Sequence, residues 1–231
     1  MAGQHMTNLR VMQPGRRVSP ETVANFRNIP VAVISDCMLR LTAGGARLRP
    51  MHAGGTVLAG PAFTVKTRPG DNLFVHKAID TAKPGDILVV DAGGDLTNAI
   101  VGEMMLTHSQ TRGLAGVIIN GAIRDYGHVK NHPFPVYAAG VTHRGPLHDG
   151  PGEINVGVAI DGMVIEPGDL MVGDDDGLLC VPFDDTERLY GEAMKRLEGE
   201  NAQRQRVRNG TVDRKWIDDC LAKIDYKVDY L

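Results

Sequence analysis

The sequence is poor in cysteine: Cys37, Cys180 and Cys220 are far apart, odd in number, and form no CxxC pair or zinc-type spacing. That excludes a disulfide framework and points to buried free thiols in a reducing compartment. Excess positive charge is also missing. The formal net charge is −3, so the chain lacks the basic footprint that binding to nucleic acid requires. No apolar run approaches the eighteen or so residues of a membrane span, and a soluble cytoplasmic protein is the expectation. The opening "MAGQHM" has no basic-then-apolar layout of a signal peptide, and residues 1–5 read as an expression-vector scar. Several catalytic signatures are absent as well: GxxxxGK[ST], GxGxxG after a strand, HExxH and GxSxG.

What is present is a globular composition over 231 residues, 42% hydrophobic and 23% charged, enough for one large domain with an appendage. Ser19-Pro20 reads as an N-cap followed by proline at the first helical position, opening a helix with Val23 and Phe26 on its apolar face. "GGTVLAGPAFTVKT" reads as strands. Asp71 or Asn72 caps a helix ended by Pro84-Gly85. "DILVVD", "AGVIIN" and "PFPVYAAG" read as strands, the first two buried on both faces, and "GEMMLTHSQTRG" as a helix closed by Gly113. This alternation predicts an α/β domain. Short strands follow, and "PGDILVVDAGG" resembles "PGDLMVGDDDG" because Pro-Gly-Asp is a common way into a strand. A long charged helix is predicted from Asp184 to Asn209, with a short one after Thr211.

One constellation offers chemistry. Gly102 precedes a helix starting near Glu103, whose first amides, those of Glu103, Met104 and Met105, face whatever lies ahead. The next strand runs into Arg124-Asp125. Adjacent parallel strands bring the loops at their carboxyl ends together, so the two segments can share a crevice. Arg124 offers a fork for a carboxylate, Asp125 a hard oxygen for Mg²⁺ or Mn²⁺, and Glu103 a group to orient water or move a proton. The residues alone also allow a plainer reading: a favourable first-turn charge at Glu103 and an exposed Arg124–Asp125 pair. His128 and His132 stand four apart, but Pro133 and a loop setting argue against a zinc pair. His76, His108, His143 and His148 have no paired spacing and read as surface or hydrogen-bonded residues.

"GEMM", twenty residues after Glu103, then "RD" resembles the acidic-X20-Arg-Asp signature of class II pyruvate aldolases, the 4-hydroxy-4-methyl-2-oxoglutarate/4-carboxy-4-hydroxy-2-oxoadipate aldolases of the RraA-like family. "ISDCM", "GPAFTV", "GDNLFVHKAID", "PGDILVVD", "GVIINGAIRD", "GPGEINV" and "VGDDDGLLCVP" resemble family blocks in the same order. The resemblance implies an αββα sandwich of the swivelling phosphohistidine-domain type over residues 6–183. It implies a C-terminal helical extension, 184–231, packing on a neighbouring subunit of a homotrimer or dimer of trimers. It implies that Asp125 binds a divalent metal, Mg²⁺ or Mn²⁺, and that Arg124 binds the 2-oxo acid. The amides around Gly102, Met104 and Met105 take its carboxylate, and Glu103 serves in proton transfer. An acid from the neighbouring C-terminal helix, Glu200 first and Glu198 second, completes the site. The implied reaction cleaves a 4-hydroxy-2-oxo dicarboxylic acid to pyruvate and a 2-oxo acid through an enolate, with oxaloacetate decarboxylation alongside. His143, His148 and Asn201 depart from the pattern. The alternative is a non-catalytic regulator that binds a ribonuclease or helicase; the long acidic C-terminal helix favours the aldolase.

Overall fold

The computed structural model describes residues 10–12, 15–41 and 44–224. The expected scar at 1–5 lies outside them. Contacts divide the chain into two compact units between Ala193 and Met194.

The first unit begins with α1 (Pro20–Phe26), where the Ser19 hydroxyl accepts from the Thr22 amide at 3.0 Å. Pro30 then separates it from α2 (Val31–Cys37). The remaining helices are α3 (Leu73–Thr81), α4 (Glu103–Thr111), α5 (Tyr126–Val129) and the start of α6 (Thr186–Arg208). Strands run from β1 (Arg49–Pro50) and β2 (Leu58–Thr67) through β3 (Ile87–Asp91), β4 (Ala99–Val101) and β5 (Gly116–Ile123) to β6 (Val136–Val141). Then come β7 (Gly152–Ile154), β8 (Val158–Ile160), β9 (Met163–Ile165), β10 (Leu170–Asp174) and β11 (Gly177–Val181).

Among the described residues one nine-stranded sheet has the path β1-β6-β5-β3-β2-β10-β11, with β4 beside β5 and β7 beside β2; β8 and β9 form a separate hairpin. β2, β3, β5 and β6 are mutually parallel, linked by crossovers that carry α3, α4 and α5. The ends of the path approach each other. Arg49 donates to the Asp176 carbonyl at 2.9 Å, and the Tyr137 hydroxyl to the Asp174 carbonyl at 2.9 Å. The mixed α/β class is therefore as expected, in the form of a nearly closed, barrel-like sheet.

Strand alternation explains why the central runs are apolar throughout. In β3, Ile87 and Val89 point into one core with Leu58, Ile118 and Tyr137, while Leu88 and Val90 point to the other, beneath Val75, Ile79 and Leu106 of α3 and α4. The two similar Pro-Gly-Asp segments flank β2, β3 parallel to it and β10 antiparallel. Both have a left-handed glycine, Gly85 or Gly168, which the turn requires. Each aspartate accepts an amide three residues back, Asp86 from Lys83 and Asp169 from Glu166. Consecutive arginines clamp them, Arg17 on Asp86 and Arg16 on Asp169.

Two expectations need correction. Only Cys180 is a buried thiol; Cys37, the last residue of α2, is intermediate, and Cys220 is exposed because α7 (Lys215–Ala222) buries no residue. His128 is not in a loop but in α5, a single helical turn that ends before Pro133. The second unit holds the end of α6 and α7, with Trp216 exposed. Among the described residues no helix is long and apolar enough to cross a membrane.

Candidate functional site

The candidate site forms where β5 runs out. The Arg124 amide still donates to the Val101 carbonyl at 3.0 Å, extending the pairing with β4 by one residue. Asp125 then adopts φ 59°, ψ 35°, a left-handed conformation that Asp and Asn tolerate better than most residues. Its carboxylate lies across the start of α4, where Oδ2 accepts the Glu103 amide at 2.9 Å. One of the three amides expected to face a ligand is thus held by Asp125. Those of Met104 and Met105 remain in the first turn, which intrahelical bonds do not use.

The corner is tight. Gly102 is extended (φ −144°), and a Cβ there would run into the Asp125 carboxylate and the stem of Arg124. A Cβ on Gly145 would lie 3.3 Å from a terminal nitrogen of Arg124, so the loop after β6 borders the guanidinium. Arg124 Nε stands 3.7 Å from Asp125 Oδ2, with the two side chains 45% and 42% exposed. Such a pair contributes little to stability, and it leaves the guanidinium's outer edge turned to solvent and available to an anion. The side chain of Met104 is exposed, while Met105 packs against the outer core.

Two groups escaped sequence reasoning. His128 Nδ1 stands 3.5 Å from Glu103 Oε1, and its ring stacks on His132 at 5.5 Å between centroids. No local signal marked this contact: Asp125 precedes the one-turn α5 but makes no side-chain cap bond to it. The second is Asn72, read only as a cap. It is buried, and its amide nitrogen donates to the Ile100 carbonyl at 2.9 Å and to Met105 Sδ at 3.2 Å. Its Oδ1 meets His148 Nδ1 at 2.7 Å. Asp71, fully buried, accepts the amides of Leu73, Asp149 and Gly150. These two residues tie α3 to the β4–α4 corner and to the loop that borders Arg124. Beside them His76 lies 6.1 Å from His148, ring to ring, and its pKa is lowered by burial and then by His148.

The structure therefore brings Gly102, Glu103, Met104, Arg124 and Asp125 together, with Met105 turned toward the core. Glu198 and Glu200 belong to α6 in the second unit, where Glu200 pairs with Arg196 of the same helix at 3.2 Å. Among the described residues no three acidic, histidine or cysteine side chains cluster as a closed metal cage. A hard divalent cation does not need one. It takes one or two carboxylates and retains waters, and Asp125 Oδ1 accepts no hydrogen bond from a described residue. The donor set fits such a cation in a water-rich site.

Residues 31–180 match the family RraA-like: Aldolase/RraA. The chain is 39% identical over 185 residues to a protein of Halalkalibacterium halodurans provisionally named a 4-hydroxy-4-methyl-2-oxoglutarate aldolase, covering 80% of this chain and 88% of the relative. It is 33% identical over 112 residues to the 4-hydroxy-4-methyl-2-oxoglutarate aldolase of Thermus thermophilus, 48% of this chain and 68% of that protein. Among solved structures, RraAS2 of Streptomyces coelicolor, described as an unusual member of the RNase ES inhibitor RraA protein family, superposes with a TM-score of 0.75 at 26% identity. It covers 83% of this chain and 99% of its own.

Proposed function

The chain belongs to the RraA-like Aldolase/RraA family, and from that premise we propose that it is a divalent-metal-dependent aldolase. Its substrates in this reading are 4-hydroxy-2-oxo dicarboxylic acids of the 4-hydroxy-4-methyl-2-oxoglutarate or 4-carboxy-4-hydroxy-2-oxoadipate type. The products are pyruvate and a second 2-oxo acid, and oxaloacetate decarboxylation is a side activity. The observation that carries the reading is the corner at which Asp125 Oδ2 accepts the Glu103 amide at 2.9 Å beside the Arg124 guanidinium.

Each residue has a task that follows from its chemistry. Arg124 and the Met104 and Met105 amides bind the carboxylate next to the keto group. Asp125 holds Mg²⁺ or Mn²⁺, which when bound supplies Lewis-acid stabilisation of the charge that builds on the keto oxygen. Glu103 moves the proton of the C4 hydroxyl, so that C4 becomes a carbonyl as the C3–C4 bond breaks. The electron pair passes to the pyruvate fragment as an enolate, which takes a proton at C3. In the same reading the protein is a homotrimer or dimer of trimers, and the C-terminal helix of a neighbouring copy supplies Glu200, or Glu198, to the site.

The test is pyruvate formation from 4-hydroxy-4-methyl-2-oxoglutarate and from oxaloacetate, for the wild type and Arg124→Ala. Turnover with both substrates, lost in the variant, supports the reading; no pyruvate from either would overturn it. The similarity to RraAS2 keeps a second reading in view, a non-catalytic regulator that binds a ribonuclease, and it predicts no turnover and an intact fold.

A further inference from the structure

The corner has a third side that neither the motif nor the comparisons assign. α5 begins directly after Asp125 and turns the His128 ring toward Glu103, leaving Nδ1 3.5 Å from Oε1. His128 is tied at its backbone and faced at its ring. The His128 amide donates to the Asp125 carbonyl at 2.9 Å, tying the backbone to the corner. Behind it, His132 stacks at 5.5 Å with only 18° between ring planes. His132 is itself held, because its Nδ1 accepts the Phe134 amide at 3.1 Å. Glu103, by contrast, is nearly half exposed and has no other side-chain partner among the described residues.

We propose that His128 is a positioning residue for Glu103: its Nδ1–H donates to Glu103 Oε1 and aims the carboxylate at the reacting hydroxyl. The proposal rests on the aldolase reading above. The separation exceeds a normal hydrogen bond, but catalytic hydrogen bonds in unliganded sites are often long and tighten once substrate is bound. An exposed pair of this kind contributes little to stability, so its value lies in orientation. A carboxylate displaced by about 1 Å from its working position forfeits up to roughly a hundredfold in rate. His132 acts one step further out, as the surface against which the ring is stacked.

The imidazole Nδ1 position can be mimicked by the amide nitrogen of asparagine, whereas glutamine extends to the Nε2 position. This gives a test that a purely structural role would not satisfy. His128→Ala and His128→Gln should lower kcat on the order of tenfold with little change in KM. His128→Asn should recover most of the loss, and His128→Ala should have no further effect in a Glu103→Gln background. A second readout needs no turnover: the Glu103 carboxylate carbon signal in ¹³C-labelled protein should move in His128→Ala and return in His128→Asn. Unchanged kcat in His128→Ala, or equal behaviour of the Asn and Gln variants with an unmoved carboxylate signal, would overturn the proposal. If the wild type makes no pyruvate, the aldolase reading falls, and the carboxylate signal still decides the contact.

Discussion

The backbone amide of Glu103 and the carboxylate of Asp125 meet at 2.9 Å across 22 positions of sequence. A residue at the end of one parallel strand thus caps the helix that follows its neighbour. Asp125 satisfies an orphan helix amide with Oδ2 while Oδ1 accepts no hydrogen bond from a described residue, and in the proposed function that second oxygen takes the cation.

That double duty can be separated by substitution. Asp125→Asn keeps an amide oxygen for the Glu103 amide and a side chain that tolerates the left-handed backbone, so its thermal midpoint should stay close to that of the wild type. Its pyruvate-forming activity should fall by about a hundredfold or more, since the charge is gone. Asp125→Ala should lose activity as well as stability, about 1 kcal/mol for the cap and a further 1 kcal/mol or so for alanine in that conformation. Paired denaturation and rate measurements check this.

Gly102 is the position where the corner leaves no space. Gly102→Ala should push the Asp125 carboxylate and the Arg124 stem outward, at a cost of about 1–3 kcal/mol. Pyruvate formation should be largely lost while the circular dichroism spectrum keeps its native form. A fully active Gly102→Ala variant would mean that the corner geometry is not what catalysis uses.

The His76 site predicts a slope of stability with pH. Burial, the first cause, and the charge of His148, the second, lower the His76 pKa from 6.5; His108 adds to them, while Asp80 opposes. Below that ordinary value the unfolded chain binds the proton more readily than the folded one, so stability declines as pH falls from about 7 through the folded pKa. The thermal midpoint should therefore fall less between about pH 7 and pH 5 in His76→Gln than in the wild type. Equal slopes would remove His76 as a contributor.

The strands "DILVVD" and "AGVIIN" were legible because apolar runs bounded by turn residues have few other readings, and the start of α4 at Glu103 because glycine precedes an acidic first turn. β4 was not legible. Three residues, Ala99–Val101, are too few for a periodic signal, and their strand state exists only because β5 is alongside. The roles of Asn72 and His128 were hidden for a related reason. Their partners, Ile100, Met105, His148 and Glu103, lie 25 or more positions away, and only folding brings them near. The burial of Cys220 was misjudged because composition says nothing about which face of a terminal helix is covered.

In the proposed function Asp125 brings a divalent cation to a carbon–carbon lyase site beside Arg124. The most direct measurement is pyruvate release from 4-hydroxy-4-methyl-2-oxoglutarate by the EDTA-treated protein, before and after Mg²⁺ or Mn²⁺ is added, with Asp125→Asn in parallel. The expected result is no release after EDTA, recovery on adding the cation in the wild type, and no recovery in the variant. Undiminished release after EDTA, or a variant that recovers as the wild type does, would contradict it.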